Sequence, residues 1–189
     1  MKSLKILIYS MLTIFIFGSS VSKAQIPSVR VGIYDFVDNT ASEFYVLAPT
    51  MILGYDILKI SQLNLEVSTG FSFNRIRYNS HYHFLYMIPL MPTMYYNLLN
   101  PDSKVWPSIG IGVSMLGKAD HNRDFDKTHY SLAYGYHATG RLNIPVKGDL
   151  LLILEMTYNL LIPPRLEEVN LSGVILTVGL KFPDRPVRQ

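Results

Sequence analysis

Residues 173–182 read Gly-Val-Ile-Leu-Thr-Val-Gly-Leu-Lys-Phe. Val174, Leu176, Val178, Leu180 and Phe182 fall on one face of an extended chain. Gly173, Thr177, Gly179 and Lys181 fall on the other, where Ile175 is the lone large apolar residue. Successive side chains leave a pleated strand on opposite faces, so this alternation predicts a β-strand. The polar face narrows the reading. A soluble sandwich turns that face to water and fills it with Lys and Glu, whereas here it is Gly and Thr with one charge. Small polar residues suit a narrow, crowded interior, with the apolar face turned to hydrocarbon.

The same pattern runs back along the chain. Leu150, Leu152, Leu154, Met156, Tyr158, Leu160 and Ile162 share a face whose alternates include Glu155, Thr157 and Asn159. Tyr130, Leu132, Tyr134, Tyr136, Leu142 and Ile144 alternate with Ser131, Gly135, His137, Thr139, Arg141 and Asn143. Eight segments emerge, at about 28–37, 44–58, 63–77, 82–97, 105–117, 129–145, 150–162 and 170–182. A spanning strand needs ~9–11 residues, which eight strands can supply while leaving chain for their connections. Turn residues such as Asn100-Pro101-Asp102-Ser103 and Lys147-Gly148-Asp149 mark one end. The connections near 38–43, 79–81, 117–128 and 163–170 are polar, and 117–128 is long and charged. Short turns opposite longer loops predict an all-β, single, eight-stranded antiparallel transmembrane β-barrel, an up-and-down meander with both ends in the periplasm.

Composition agrees. Of 189 residues, 49% are hydrophobic and only 16% charged, below the roughly 25% usual for soluble domains. No apolar run reaches the ~18 residues of a spanning helix. The chain has no cysteine, which excludes a disulfide framework, a thiol nucleophile, a lipobox anchor and Cys-ligated zinc. Residues 1–24 are expected to be a secretory signal peptide. Lys2 and Lys5 precede the apolar run Ile6–Phe17, and Ser22-Lys23-Ala24 precedes a cut before Gln25. With Lys2, Lys5 and Lys23 removed from the 17 basic residues, the rest are level with the 14 acidic ones, so the charge gives no nucleic-acid signal. The barrel domain is then 25–182, followed by a short polar tail, 183–189.

Ile88-Pro89-Leu90, Met94-Tyr95-Tyr96, a turn, and Trp106-Pro107-Ser108-Ile109-Gly110-Ile111-Gly112 resemble the central hairpin of the outer-membrane β-barrel domain families common in Bacteroidetes. These include PorT-like barrels, alongside the small eight-stranded OmpA/OmpX type. Val178-Gly179-Leu180-Lys181-Phe182 is similar to the aromatic-ended last strand read by the barrel assembly machinery. The resemblance implies outer-membrane residence, assembly partners and, for the PorT-like kind, an accessory place in a secretion or assembly apparatus.

Strand parity sets Arg30, Arg141 and Lys181 facing inward with Asp56, Glu66 and Glu155. Ions in so small a barrel must pair, so an ion-paired core is expected to plug it; a narrow channel is the alternative. Amphipathic rings belong at the two interfaces. Tyr78, Tyr82, Tyr86, Tyr130 and Tyr158 are placed at the outer rim, and Tyr55, Tyr95, Tyr96, Trp106 and Phe182 at the periplasmic rim. Arg75 and Arg77 are candidate contacts to lipopolysaccharide phosphates, since guanidinium matches phosphate oxygens. His129-Tyr130-Ser131 has the His-x-Ser spacing of outer-membrane lipid A deacylases, but Leu132 stands where that family has Asn. The chain is therefore read as a non-enzyme, with a lipid A-modifying hydrolase as the alternative. His81, His83, His121 and His129 are read as solvated loop residues rather than metal ligands. Asp120–Asp126 lacks the central Gly and terminal Glu of a calcium loop, and Gly110-Ile111-Gly112 is no dinucleotide fingerprint. No cofactor is expected. The partners expected are membrane lipid, the assembly machinery and envelope proteins met by the loops, above all 118–128.

Overall fold

A computed structural model describes residues 27–45, 47–78, 81–99, 104–122, 126–146, 150–163 and 169–182. The expected signal peptide, its cleavage site and the polar tail lie outside the described residues. These form eight strands and one short helix: β1 (Pro27–Phe36), α1 (Asn39–Phe44), β2 (Ala48–Ile60), β3 (Leu63–Tyr78), β4 (His81–Asn97), β5 (Trp106–Asn122), β6 (Lys127–Pro145), β7 (Leu151–Ile162) and β8 (Gly173–Lys181). Each strand pairs antiparallel with the next, and β8 returns to β1 to close a barrel. The closing seam runs from Ser28 opposite Lys181 to Phe36 opposite Gly173. Closure satisfies the ladder on every strand and leaves no sheet edge.

The side chains are arranged inside-out relative to a soluble protein. Ile111 is 67% exposed, Tyr136 63% and Met156 56%, while Arg30 and Glu66 are each 1% exposed. The outward faces carry Val29, Val31 and Ile33 on β1, Leu142 on β6, Leu154 and Leu160 on β7, and Leu176, Val178 and Leu180 on β8.

The interior has two chemically distinct halves. Toward the end where β1 begins and β8 ends, the terminal half, it is polar and charged. Toward the other end, the loop end, it is a cluster of Tyr34, Phe36, Ile52, Leu85, Met87, Met91, Leu116, Leu161 and Ile175 with their neighbours. The connection after β1 adds Ala41 and Tyr45 to this cluster, and Leu171 comes from the segment before β8.

That first connection, expected as a polar loop, contains α1. Asp38 caps it, accepting a hydrogen bond from the Ala41 amide at 3.2 Å through its side chain. The Tyr45 hydroxyl crosses the mouth to donate to Asp120 Oδ2 on β5 at 3.0 Å. Burial, with the Asp120 carboxylate beside it, holds that phenol above its ordinary pKa, so it remains a donor.

A larger correction concerns 117–128, expected as a long loop. β5 and β6 stay paired through Asp120 opposite His129 and Asn122 opposite Lys127. The turn ends at Asp126, which has a φ of 48°, and residues 123–125 lie outside the described set. Charge misled the reading. β5 also stays paired with β4, out to Asn122 opposite His83, and because the backbone makes the ladder bonds, polar side chains on both faces near water do not break them.

Candidate functional site

The inward charges come from six strands and meet in one network in the terminal half. The Arg30 guanidinium donates through Nη2 to Glu66 Oε1 at 2.8 Å and through Nη1 to Glu155 Oε1. Arg141 grips Glu66 with two parallel bonds, Nη1 to Oε2 and Nη2 to Oε1, both 2.8 Å. Its Nε donates to Glu155 Oε2 at 2.6 Å. Lys181 Nζ lies 2.6 Å from Asp56 Oδ2 and 3.7 Å from Glu66 Oε2.

Register explains two of these placements. Arg141 stands directly opposite Glu155. Asp56 stands directly opposite Glu66, a like-charge pair that would be destabilising alone; the Lys181 ammonium between them makes it tolerable. Asn64 also donates to Asp56 Oδ1 at 2.8 Å. Three cations and three anions leave the network neutral, as burial requires, since an unpaired ion in this setting costs several kcal/mol. Gly54 makes the crowding feasible. A Cβ there would lie 2.6 Å from Ser28 Oγ, 2.7 Å from Glu66 Oε1 and 2.9 Å from Arg30 Nη2.

Tyr95, expected at the rim among the aromatics, belongs to this network and is 3% exposed. Its hydroxyl donates to Glu155 Oε2 at 2.9 Å and accepts from Arg141 Nη2 at 2.6 Å. The Arg141 guanidinium carbon sits 3.8 Å from the ring centroid. Trp106, placed at the same rim, is also buried. The correction has one cause: an aromatic residue next to a turn fits a rim or an interior equally well by type, and only its parity decides. Met94 and Tyr96 are exposed, so Tyr95 between them points inward. Tyr96 and Phe182 do face outward.

Above the ions lies a neutral relay that the sequence did not single out. His137 Nε2 lies 2.8 Å from Thr93 Oγ1, and His137 Nδ1 lies 2.8 Å from Ser114 Oγ. Ser114 donates to Asn159 Oδ1 at 2.6 Å. A Ser–His pair is the core of many nucleophilic sites, but here the polarity is reversed. Ser114 gives its proton to Asn159, so the imidazole donates to the serine instead of accepting from it. Ser114 and His137 are also buried, beneath the apolar plug. The relay joins β4, β5, β6 and β7 across the interior. Gly112 clears space for the ring, since a Cβ there would stand 2.6 Å from His137 Nε2.

The remaining candidates lie elsewhere. His129 is exposed near the loop end of β6 and Ser131 is half-buried, opposite Asp120 and Lys118 respectively. His83 Nδ1 lies 3.6 Å from Asp120 Oδ1, and His121 Nδ1 lies 3.0 Å from Thr128 Oγ1. Among the described residues, no three His, Asp or Glu side chains converge as metal ligands. Arg75 is exposed on the outward face of β3, and its guanidinium carbon lies 4.5 Å from the Tyr82 ring centroid and 5.7 Å from that of Phe84. Arg77 pairs with Tyr82 in the ladder, but its side chain, like those of Tyr78 and His81, lies outside the described residues. In β8, Val178 and Leu180 face outward beside β7 and β1, and Gly179 lets the seam close on Val29 O, 2.1 Å from where its Cβ would be.

These features define the class: a closed eight-stranded meander with an apolar outer surface and an ion-paired interior. No protein-family model matches the sequence, and no curated protein matches it. Solved structures do match. Neisserial surface protein A is 15% identical, covers 85% of this chain and 97% of its own, and superposes with a TM-score of 0.60. The N-terminal β-barrel domain of Pseudomonas aeruginosa OprF is 10% identical over 83% of this chain and 96% of its own, with a TM-score of 0.51. The outer membrane enzyme PagL is 10% identical over 82% of this chain and 99% of its own, with a TM-score of 0.50. The fold is that of the small eight-stranded outer-membrane barrels.

Proposed function

We propose that the chain is an integral outer-membrane β-barrel protein, exported by a cleaved signal peptide, whose role is structural or interactive and whose lumen is sealed. The observation that carries this reading is the inverted distribution of side chains. Alternate residues along the strands present an apolar outward face, while the six inward ions pair among themselves. In water such a surface would aggregate; in hydrocarbon it is the solvated face. The apolar cluster above the ion network supports a sealed barrel over a narrow channel, since among the described residues the six inward ions are paired and packed apolar side chains fill the loop half. Non-enzymatic function is favoured over a lipid A hydrolase, because His129 lies exposed near the loop end of β6 and Leu132 stands where the deacylases have Asn.

Two narrower parts of the proposal rest on sequence resemblance. The strand β4–β5 hairpin, with Ile88-Pro89-Leu90 and Trp106–Gly112, supports a Bacteroidetes-type barrel of the PorT-like kind, an accessory of a secretion or assembly apparatus. Val178, Leu180 and Phe182 support recognition of the last strand by the assembly machinery. Co-purification of the native protein with envelope secretion components tests the first.

The direct test is electrophoresis of protein taken from an outer-membrane fraction. Unboiled and boiled samples are expected to migrate differently, and planar-bilayer recording of the folded form is expected to show no steady conductance. A single band position regardless of boiling contradicts the barrel. Steady conductance of porin size contradicts the seal.

A further inference from the structure

The aromatic side chains are distributed unevenly around the loop end. On the outward faces of β3 and β4, Phe71 and Tyr86 have centroids 6.2 Å apart, Phe73 and Tyr86 5.4 Å, and Phe73 and Phe84 6.1 Å. These rings form a continuous ladder up one wall. Arg75 caps it, stacked on Tyr82 and Phe84. Along the outward face of β3, Leu63, Leu65, Val67, Thr69, Phe71 and Phe73 come first and Arg75 is next. The guanidinium therefore sits where an apolar surface gives way to a polar one.

Among the described residues no carboxylate pairs with Arg75, in contrast to the arginines inside the barrel. Two rings hold it from one side by cation–π attraction, which fixes its plane and leaves its N–H groups to meet an acceptor from outside. A guanidinium fixed this way is preorganised for the paired oxygens of a phosphate. The ladder beneath it has the chemistry of an acyl-chain contact.

We propose that Arg75 and the ladder of Phe71, Phe73, Phe84 and Tyr86 form a binding site for a phosphorylated membrane lipid, with its headgroup phosphate on Arg75 and its acyl chains against the rings. The site rests on the membrane-barrel reading above. A lipid is the occupant because the anion contact and the rings share one outward face, with the rings on the hydrocarbon side of the charge. A soluble anion would use Arg75 and ignore the ladder.

The test is native mass spectrometry of the folded protein released from detergent, offered diphosphorylated lipid A, its dephosphorylated counterpart, or inorganic phosphate. Folding of each sample is first checked by the boiling-dependent band shift. The wild-type barrel is expected to retain the phosphorylated lipid on the order of tenfold better than the phosphate-free one, the scale of a charge-assisted contact. Arg75→Ala is expected to abolish the preference, and Arg75→Lys to keep a fraction of it, since an ammonium cannot form the bidentate contact. Phe73→Ala is expected to weaken retention of both lipids. Equal retention of the two lipids by the wild type overturns the site, as does an unchanged preference in Arg75→Ala. Displacement of the lipid by inorganic phosphate at equal concentration also overturns it, by showing an anion site that does not use the ladder. A chain with no band shift overturns the barrel itself, and the lipid site with it. A shifted barrel without phosphate preference overturns the lipid site alone.

Discussion

The two halves of the barrel interior share strand parity and differ in what holds them. In the terminal half, Glu66 alone meets Arg30, Arg141 and Lys181. In the loop half, Leu85, Met87 and Ile175 are as deeply buried as any ion and belong to the apolar cluster that Ala41 and Tyr45 join. One half is held by directional pairing and the other by close packing. The pairing fixes which strands lie where, because each cation must find its acid across the lumen. Packing fills the loop half of the interior.

Removing one member of the pairing is expected to cost most. Glu66→Ala leaves Arg30 (1% exposed), Arg141 (4%) and Lys181 (6%) with only Glu155 and Asp56 as acids, and should destabilise the barrel by about 3–5 kcal/mol. The check is the urea midpoint of the folded band. The same substitution in an Arg141→Ala background should cost much less than the sum of the two, because partners in one network couple.

Leu85→Ala in the packed half should cost about 3 kcal/mol through lost contacts and an unfilled cavity. Combined with Glu66→Ala, its effect should be additive. Strong coupling between Leu85 and Glu66 would erase the distinction between the halves. Smallest is Tyr95→Phe, which keeps the ring under Arg141 and removes only the hydroxyl shared by Arg141 and Glu155; about 1.5–2 kcal/mol is expected by the same assay.

Much of this was legible in the sequence because lipid and lumen impose opposite demands on alternate residues. Leu154–Leu160 and Leu176–Phe182 keep that alternation, and with the run Tyr130–Ile144 they set Arg141, Glu155 and Lys181 inward. Where both faces are apolar the alternation disappears. Leu85, Met87, Leu116 and Leu161 face inward beside outward neighbours that are equally greasy, so the plug left no periodic trace. Partnerships across the lumen were equally hidden. Nothing local to Ser114 or His137 announces the other, since register and closure bring them together. The paired hairpin through Asp120 and His129 was obscured for the opposite reason, being polar on both faces. Tyr95 did have a signal, in the order Thr93, Tyr95, Asn97 between exposed Met94 and Tyr96, but its aromatic character pointed to the rim.

The absence of native cysteine makes one measurement especially clean. Single spin labels introduced at Ile111, Met156 and Val178, three outward positions on separate strands, report by collision rates whether each faces hydrocarbon or water in reconstituted vesicles. The account predicts frequent collision with dissolved oxygen and almost none with a water-soluble nickel chelate at all three. Ready collision with the chelate at these sites would place the greasy surface in water and contradict it.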